Sequence, residues 1–370
     1  MKPQVPEYIK SIVPYPPGKP MDELEREYGV KDPIKLASNE NAWGSSPKAI
    51  AAIGETLTDL HRYPDGSNYY LVQAIAEKSG FSADEIIIGN GSDEIIEFLV
   101  KACVEKGDEV ITSHPSFLMY QKTVQVRGGL NTILPLRDMG HDLEAILANI
   151  TNRTRLIFLD NPNNPTATAI PPYDLDRFLE RVPESVVVVL DEAYVDFMDA
   201  EMRPDIHSLI HNSAGRCGVV SLRTFSKAYG LAGIRVGYGL MDAELAGYLH
   251  RVRQPFNVNK LAQVAAIAAL DDTEFYQKTM DGTREGMAWL QGEVEKMGCT
   301  SYPSQTNFFL VDVRGDAAAL YEAMLHHGVI IRSMKAYGFE NVIRITVGTE
   351  EENHRCVAAL ADCLRDLGYT

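Results

Sequence analysis

The residues best suited to chemistry in this chain gather in one stretch, SLRTFSKAYGLAGIRVGYG, residues 221–239. A strand is expected to end at Leu222. The polar loop after it carries Thr224, Ser226 and Lys227, and Arg235 follows eight residues beyond the lysine. Two hydroxyls, an ammonium and a guanidinium converging on one glycine-punctuated loop form a phosphate site with a nucleophilic amine beside it. A lone lysine after a serine is usually a solvated surface residue; the combination is what points to chemistry.

Three further sites belong with it. Asp191 ends the apolar run VVVVL, at the carboxyl edge of an expected strand, where open α/β sheets place their ligands. A carboxylate there can hold a pyridine nitrogen protonated, as an electron-sink cofactor requires, although a helix cap would also use an aspartate. Tyr194, three residues on, is within reach of a phenolic oxygen on the same ring. Asn164, in NPNNPT after the run RLIFL, is placed to aim its amide at that oxygen, or to make an ordinary asparagine–proline turn. In GNGSDEIIEFL the backbone N–H groups of Gly91, Ser92 and Asp93 open a helix and can cradle a phosphate. A dinucleotide fingerprint would need a third glycine where Glu94 stands.

These sites need a frame. From Ile34 to about Arg253, short apolar β-branched runs (EIIIG, DEVITS, NTILPL, RLIFLD, VVVVLD, GVVSLR, RVGYGL) alternate with stretches of helical spacing. That is the pattern of an α/β fold with a mostly parallel sheet. After Arg253 one long alanine-rich helix, NKLAQVAAIAALDDTEFYQKTM, is expected to lead into a smaller α+β domain with strands in NFFLVDV, VIIRSM and VIRITV. The expected division is an N-terminal segment over 1–33 joining the small domain, a large ligand-binding domain over 34–253, and a linking helix with the small domain over 254–370.

Bulk properties narrow the partners. The net charge of -16 argues against nucleic acid or an acidic membrane as a partner. An anionic substrate must therefore be drawn by a few placed arginines. Five scattered cysteines without a CxxC pair fit reduced thiols and a cytoplasmic protein. No apolar run has the length of a membrane span. His207 and His211 share a helix face but have no partner at ligand spacing, so no metal is expected.

The motifs PYPPGKP, SNEN, RYPDG, GNGSDE, NPNNPT, DEAYVDF, RTFSKAYGLAGIRVGY, PFNVN and IRITVGT, in that order over nearly the whole chain, resemble fold-type I aminotransferases, and within them the histidinol-phosphate aminotransferase family. The resemblance implies pyridoxal 5′-phosphate as cofactor, with Lys227 forming its aldimine and moving the donor's Cα proton. It also implies Asp191 on the pyridine nitrogen, Asn164 and Tyr194 on the ring oxygen, and Ser92, Asp93, Thr224, Ser226 and Arg235 on the phosphate. Phe117, in HPSFLMY, falls where the family stacks an aromatic ring, more often tyrosine, on the cofactor. Ala167 stands where the family commonly has glycine; if the position needs a positive φ, alanine bears a strain of roughly 1 kcal/mol.

By the same resemblance Tyr63 reaches a neighbouring subunit's cofactor phosphate, which implies a homodimer with shared sites. Arg344 grips the substrate anion, with Arg332, Tyr15 and Asn257 as further substrate contacts. The substrates implied are histidinol phosphate and the glutamate/2-oxoglutarate pair, in histidine biosynthesis. An aromatic amino acid aminotransferase would keep every cofactor residue and differ only in the substrate pocket. A decarboxylase on the same scaffold would release carbon dioxide without a keto acceptor. An NAD-dependent oxidoreductase would share the α/β pattern but leave the lysine loop unexplained.

Overall fold

All seven apolar runs expected as large-domain strands pair into one sheet. The computed structural model describes residues 4–14, 21–212 and 216–369, so Tyr15 lies outside the described residues. The first strand, β1 (Ile34–Lys35), belongs elsewhere. The large sheet comprises β2 (Ile86–Gly89), β3 (Glu109–His114), β4 (Leu130–Pro135), β5 (Thr154–Asp160), β6 (Val187–Asp191), β7 (Gly218–Thr224) and β8 (Gly237–Leu240). Its order is β2-β8-β7-β6-β5-β3-β4. β8 runs antiparallel to both neighbours, and the other pairings are parallel.

The consecutive apolar residues are explained by helices on both faces. Ile157, Leu159, Val188 and Leu190 pack into one core cluster, while the alternating Leu156, Phe158 and Val189 pack into another. The reversed direction of β8 matters for the site. It brings Arg235, two residues before the strand, to the edge where its neighbours end.

The smaller sheet follows: β9 (Thr300–Ser301), β10 (Phe308–Asp312), β11 (Val329–Ile330), β12 (Arg332–Ser333) and β13 (Val342–Thr346). Four of these form an antiparallel sheet in the order β12-β13-β10-β9. β11 instead pairs in parallel with β1. Ile343, Ile345 and Val347 pack on the helices Ala317–His326 and Glu350–Leu367. By the period of two, Arg344 and Thr346 point the other way, toward the large sheet. The helix Met21–Tyr28 sets Leu24 against Ala37, Leu325 and Ile330.

The long helix expected after Arg253 is two helices, Lys260–Leu270 and Thr273–Lys296. Asp272 breaks it: its carboxylate caps the second helix at Phe275 N and accepts from Ser46 Oγ at 2.6 Å. Ala262, Ala265, Ala266 and Ala269 of the first helix pack into the large-sheet core, on the helices Pro47–Thr56 and Tyr69–Ser79. Small side chains allow that close approach. Among the described residues, no helix is long and apolar enough to cross a membrane.

Candidate active site

The carboxyl ends of β2, β3, β5, β6 and β7 face the outer side of β12 and β13 across a cavity of about 320 Å³. Lys227 enters it from the loop after β7. Its Nζ donates to Ser38 O at 3.2 Å and sits 5.7 Å from the centre of the Tyr194 ring. Burial, and then the positive charge of Arg344, bring the ammonium down to about 8. A buried lysine of that kind has a sizeable neutral fraction near neutral pH, which is what a nucleophile or a proton carrier needs.

Asp191 closes the floor at the end of β6. Burial raises its carboxyl to about 7, opposed by the hydrogen bond from Tyr120 and reinforced by the charge of Asp160. Tyr120 Oη donates to Asp191 Oδ2 at 2.8 Å, and Ala193 N donates to Oδ1 at 3.2 Å. The next helical turn, Val195–Phe197, is entered from Tyr194, so Asp191 does not cap it. Asp160 is its register partner on β5 and has a different task. It accepts from Ser116 Oγ at 2.8 Å, Asn163 Nδ2 at 3.0 Å and Asn164 N at 2.9 Å, and so holds the NPNNPT turn.

That turn presents Asn164, whose Oδ1 accepts from Arg344 Nη1 at 2.5 Å. The NH2 end of the amide is therefore the end able to donate to a ring oxygen. Arg344 also donates to Ala37 O at 2.7 Å, and its guanidinium lies 4.9 Å from the centre of the Phe308 ring. Arg332 is its direct cross-strand partner, and both line the cavity. Tyr194 accepts from Asn39 Nδ2 at 2.9 Å; burial pushes its phenol up to about 12. The phenol stays protonated and able to donate.

At the other end lie Ser92, Asp93, Thr224, Ser226 and Arg235. Gly91, at φ 84, opens the helix Ser92–Cys103; a Cβ there would stand 2.5 Å from Arg235 Nη2. Gly237 is equally constrained, since its Cβ would meet Ser92 N at 2.6 Å. The two glycines leave the first helix amide and the guanidinium open to one small anion. Arg235 contacts Ser226 Oγ at 3.4 Å and Asp93 Oδ2 at 3.5 Å. A phosphate cradle, a recessed and buried carboxylate, an amide, a phenol and an amine fit a phosphorylated pyridine aldehyde.

Not every expected residue reaches this cavity. Phe117 lines it, with its ring edge-on to Tyr120 at 5.5 Å. Asn257 does not: its Oδ1 accepts from Arg253 at 2.7 Å, and its Nδ2 donates to Ile88 O at 3.1 Å and Glu94 Oε2 at 2.6 Å. These bonds hold the 253–257 loop on the large domain. Tyr63 is 81% exposed and stacks on Phe256 at 4.8 Å, away from this chain's own cavity. Ala167 does adopt a positive φ, 63, and its Cβ is buried against Tyr194 and Phe308. Burying a methyl returns about 0.8 kcal/mol, which nearly offsets the strain.

Sequence reasoning missed Tyr120, Asp160 and Asn39. Asp160 carries the same signal as Asp191, an aspartate ending an apolar strand. Tyr120 and Asn39 stand in HPSFLMY and SNEN, whose folding against the site no local pattern reveals.

The sequence profile of the aminotransferase class I and II family matches residues 31–360. A histidinol-phosphate aminotransferase of Desulfotalea psychrophila is 63% identical over 369 residues, covering 100% of this chain and 97% of that protein. One from Moorella thermoacetica is 47% identical, over 98% of this chain and 93% of the other. Among solved structures, the histidinol-phosphate aminotransferase of Sinorhizobium meliloti in complex with pyridoxal-5′-phosphate superposes with a TM-score of 0.90. It is 31% identical, and 99% of each chain is covered.

Proposed function

The chain belongs to the class I and II aminotransferase family, and on that premise we propose that it moves an amino group between L-histidinol phosphate and 2-oxoglutarate, with pyridoxal 5′-phosphate as cofactor. The observation that carries the reading is Arg332 paired across the strands with Arg344 in the wall of the cavity that holds Lys227. Two guanidiniums suit a phosphate dianion, and one of them suffices for the carboxylate of glutamate. The two histidinol-phosphate aminotransferases do not favour an aromatic donor.

When bound, the cofactor supplies an aldehyde that condenses with amines and an electron-withdrawing ring. Lys227 is the amine that would hold it, and its neutral Nζ would take a proton from the donor's Cα as base and return it as acid. Asp191 would keep the ring nitrogen cationic, Asn164 and Tyr194 would donate to the ring oxygen, and Phe117 would pack against the ring. Gly91, Ser92, Asp93, Thr224, Ser226 and Arg235 fix the phosphate. Arg344 and Arg332 would seat the substrate anion in the cavity that Lys227 enters. Because Asp191 and Tyr194 are buried and Lys227 is partly buried, charge developing there meets fixed dipoles instead of bulk water.

We take the working unit to be a homodimer, with Tyr63 completing the partner's phosphate site. Ile50, Leu57, Leu60, Tyr63, Tyr70 and Phe256 are each about half exposed or more; the first five lie between residues 50 and 70, and Phe256 stacks on Tyr63. For the domain division, we place residues 34–36 with the small domain, whose strand β11 and core they join, and the large domain from there to 253, extended by the helix Lys260–Leu270, whose alanines share its core. The five unpaired cysteines support a reducing, cytoplasmic setting.

A donor screen tests the reading. Histidinol phosphate, tyrosine and phenylalanine are each offered with 2-oxoglutarate, and glutamate formation is measured. Histidinol phosphate is expected to lead by kcat/KM. A preference for tyrosine, or carbon dioxide without glutamate, overturns the assignment.

A further inference from the structure

The segment Ser38–Glu40 passes between the two sheets, and Asn39 in it makes contacts that the reaction so far described does not use. Asn39 is 2% exposed and has a left-handed backbone, φ 55. Its backbone N–H donates to Thr346 Oγ1 at 3.1 Å, and its Oδ1 accepts from that same hydroxyl at 3.0 Å. Its Nδ2 donates to Tyr194 Oη at 2.9 Å.

The directions of these bonds follow from one another. A backbone N–H only donates, so the Thr346 oxygen accepts there and its proton goes to Asn39 Oδ1. The far end of the amide, facing Tyr194, is then the NH2. Reversing the amide would leave the Thr346 proton, in a side chain 3% exposed, without that acceptor. Tyr194 Oη therefore accepts from Asn39 and keeps its own proton to give away. The remaining direction is into the cavity.

We propose that Asn39 and Thr346 form a relay that fixes the direction of the Tyr194 proton, so that it is presented to the ring oxygen of the bound cofactor. This rests on the reading that the cavity takes pyridoxal phosphate. Asn39 and Thr346 are positioning residues. Thr346 lies two residues after Arg344 on the same face of β13. The strand that seats the substrate thus also sets the donor aimed at the cofactor.

The test is the visible absorption of the protein loaded with pyridoxal phosphate, followed against pH. A proton donated to the ring oxygen stabilises its negative charge and lowers the pH at which the linkage to Lys227 loses its proton. Asn39→Asp turns an acceptor toward Tyr194 while tolerating the left-handed backbone. The midpoint should rise by about one pH unit. Tyr194→Phe should raise it similarly, and the double variant no further than either alone. Thr346→Val, which can neither accept nor donate, should shift it the same way by less, and serves if Asn39→Asp does not fold. Lys227, Arg344, Asp191 and Asp160, the charged groups facing Tyr194, stay in place throughout.

Melting of the cofactor-free variants is read in parallel, since a purely structural role lowers stability and leaves the midpoint alone. An unmoved midpoint in folded variants, or additive shifts in the double variant, overturns the relay while the cofactor reading stands. A wild-type protein with no pH-dependent visible band overturns the cofactor reading, and the relay with it.

Discussion

Tyr120 and Asp191 meet in a 2.8 Å hydrogen bond, phenol to carboxylate, with both side chains buried. The bond favours the ionised carboxylate, yet burial dominates and the group stands at about 7 in the cofactor-free protein. The folded value lies above the unfolded one, so the folded state holds this proton more tightly. The stability it contributes is fully present below about 4 and is lost as pH rises toward 7. The cofactor-free enzyme therefore carries a cost at neutral pH that a cationic ring nitrogen would relieve.

Asp191→Asn should remove that cost, because Nδ2 can donate to Tyr120 Oη while Oδ1 keeps the Ala193 N–H. We expect the cofactor-free variant to melt a few degrees higher than wild type at pH 8, with little difference at pH 4. Turnover should fall by several orders of magnitude, since an amide cannot hold the ring nitrogen protonated. Near-normal turnover would remove Asp191 from the cofactor site.

Lys227 should capture pyridoxal phosphate faster as pH rises through about 8, where the buried ammonium loses its proton. Stopped-flow absorbance would follow this. Borohydride reduction and peptide mapping should place the label on Lys227. Lys227→Ala should abolish transamination and keep part of the cofactor affinity, because the cradle around Arg235 survives. A label on another lysine sinks the assignment.

Arg332→Ala should raise KM for histidinol phosphate about tenfold more than KM for glutamate. A dianionic phosphate uses both guanidiniums, and a carboxylate relies mainly on Arg344. Steady-state kinetics with each donor decides; equal effects would place Arg332 outside the phosphate-binding end.

Tyr63→Phe should weaken cofactor binding by about one to two decades, the loss of one hydrogen bond to a charged group worth roughly 1.5–3 kcal/mol. Mixing refolded Tyr63→Phe and Lys227→Ala subunits puts both lesions into one site of a heterodimer. The site with intact Lys227 then takes its tyrosine from the lysine variant, so active sites in the mixture should bind cofactor like wild type. Persistently weak binding would mean that the tyrosine acts within its own chain.

The sequence by itself determined the strands of the large sheet and the residues at their ends. Consecutive apolar β-branched runs leave few alternatives, and Lys227, Asp191, Asn164 and Arg235 sit next to them in the chain. It also placed a positive φ at Ala167 in question, and the backbone there is left-handed. The single long helix failed because helical spacing runs unbroken through Asp271 and Asp272; what stops it is a cap completed by Ser46, 226 residues away. Only the tertiary structure decided that Tyr120 reaches Asp191, that Asn257 is engaged by Glu94, and that Thr346 speaks to Tyr194 through Asn39. Hydrophobic periodicity is written residue by residue along the chain. A buried hydrogen bond between distant segments exists only once packing has excluded water from both ends and left each group the other as its partner.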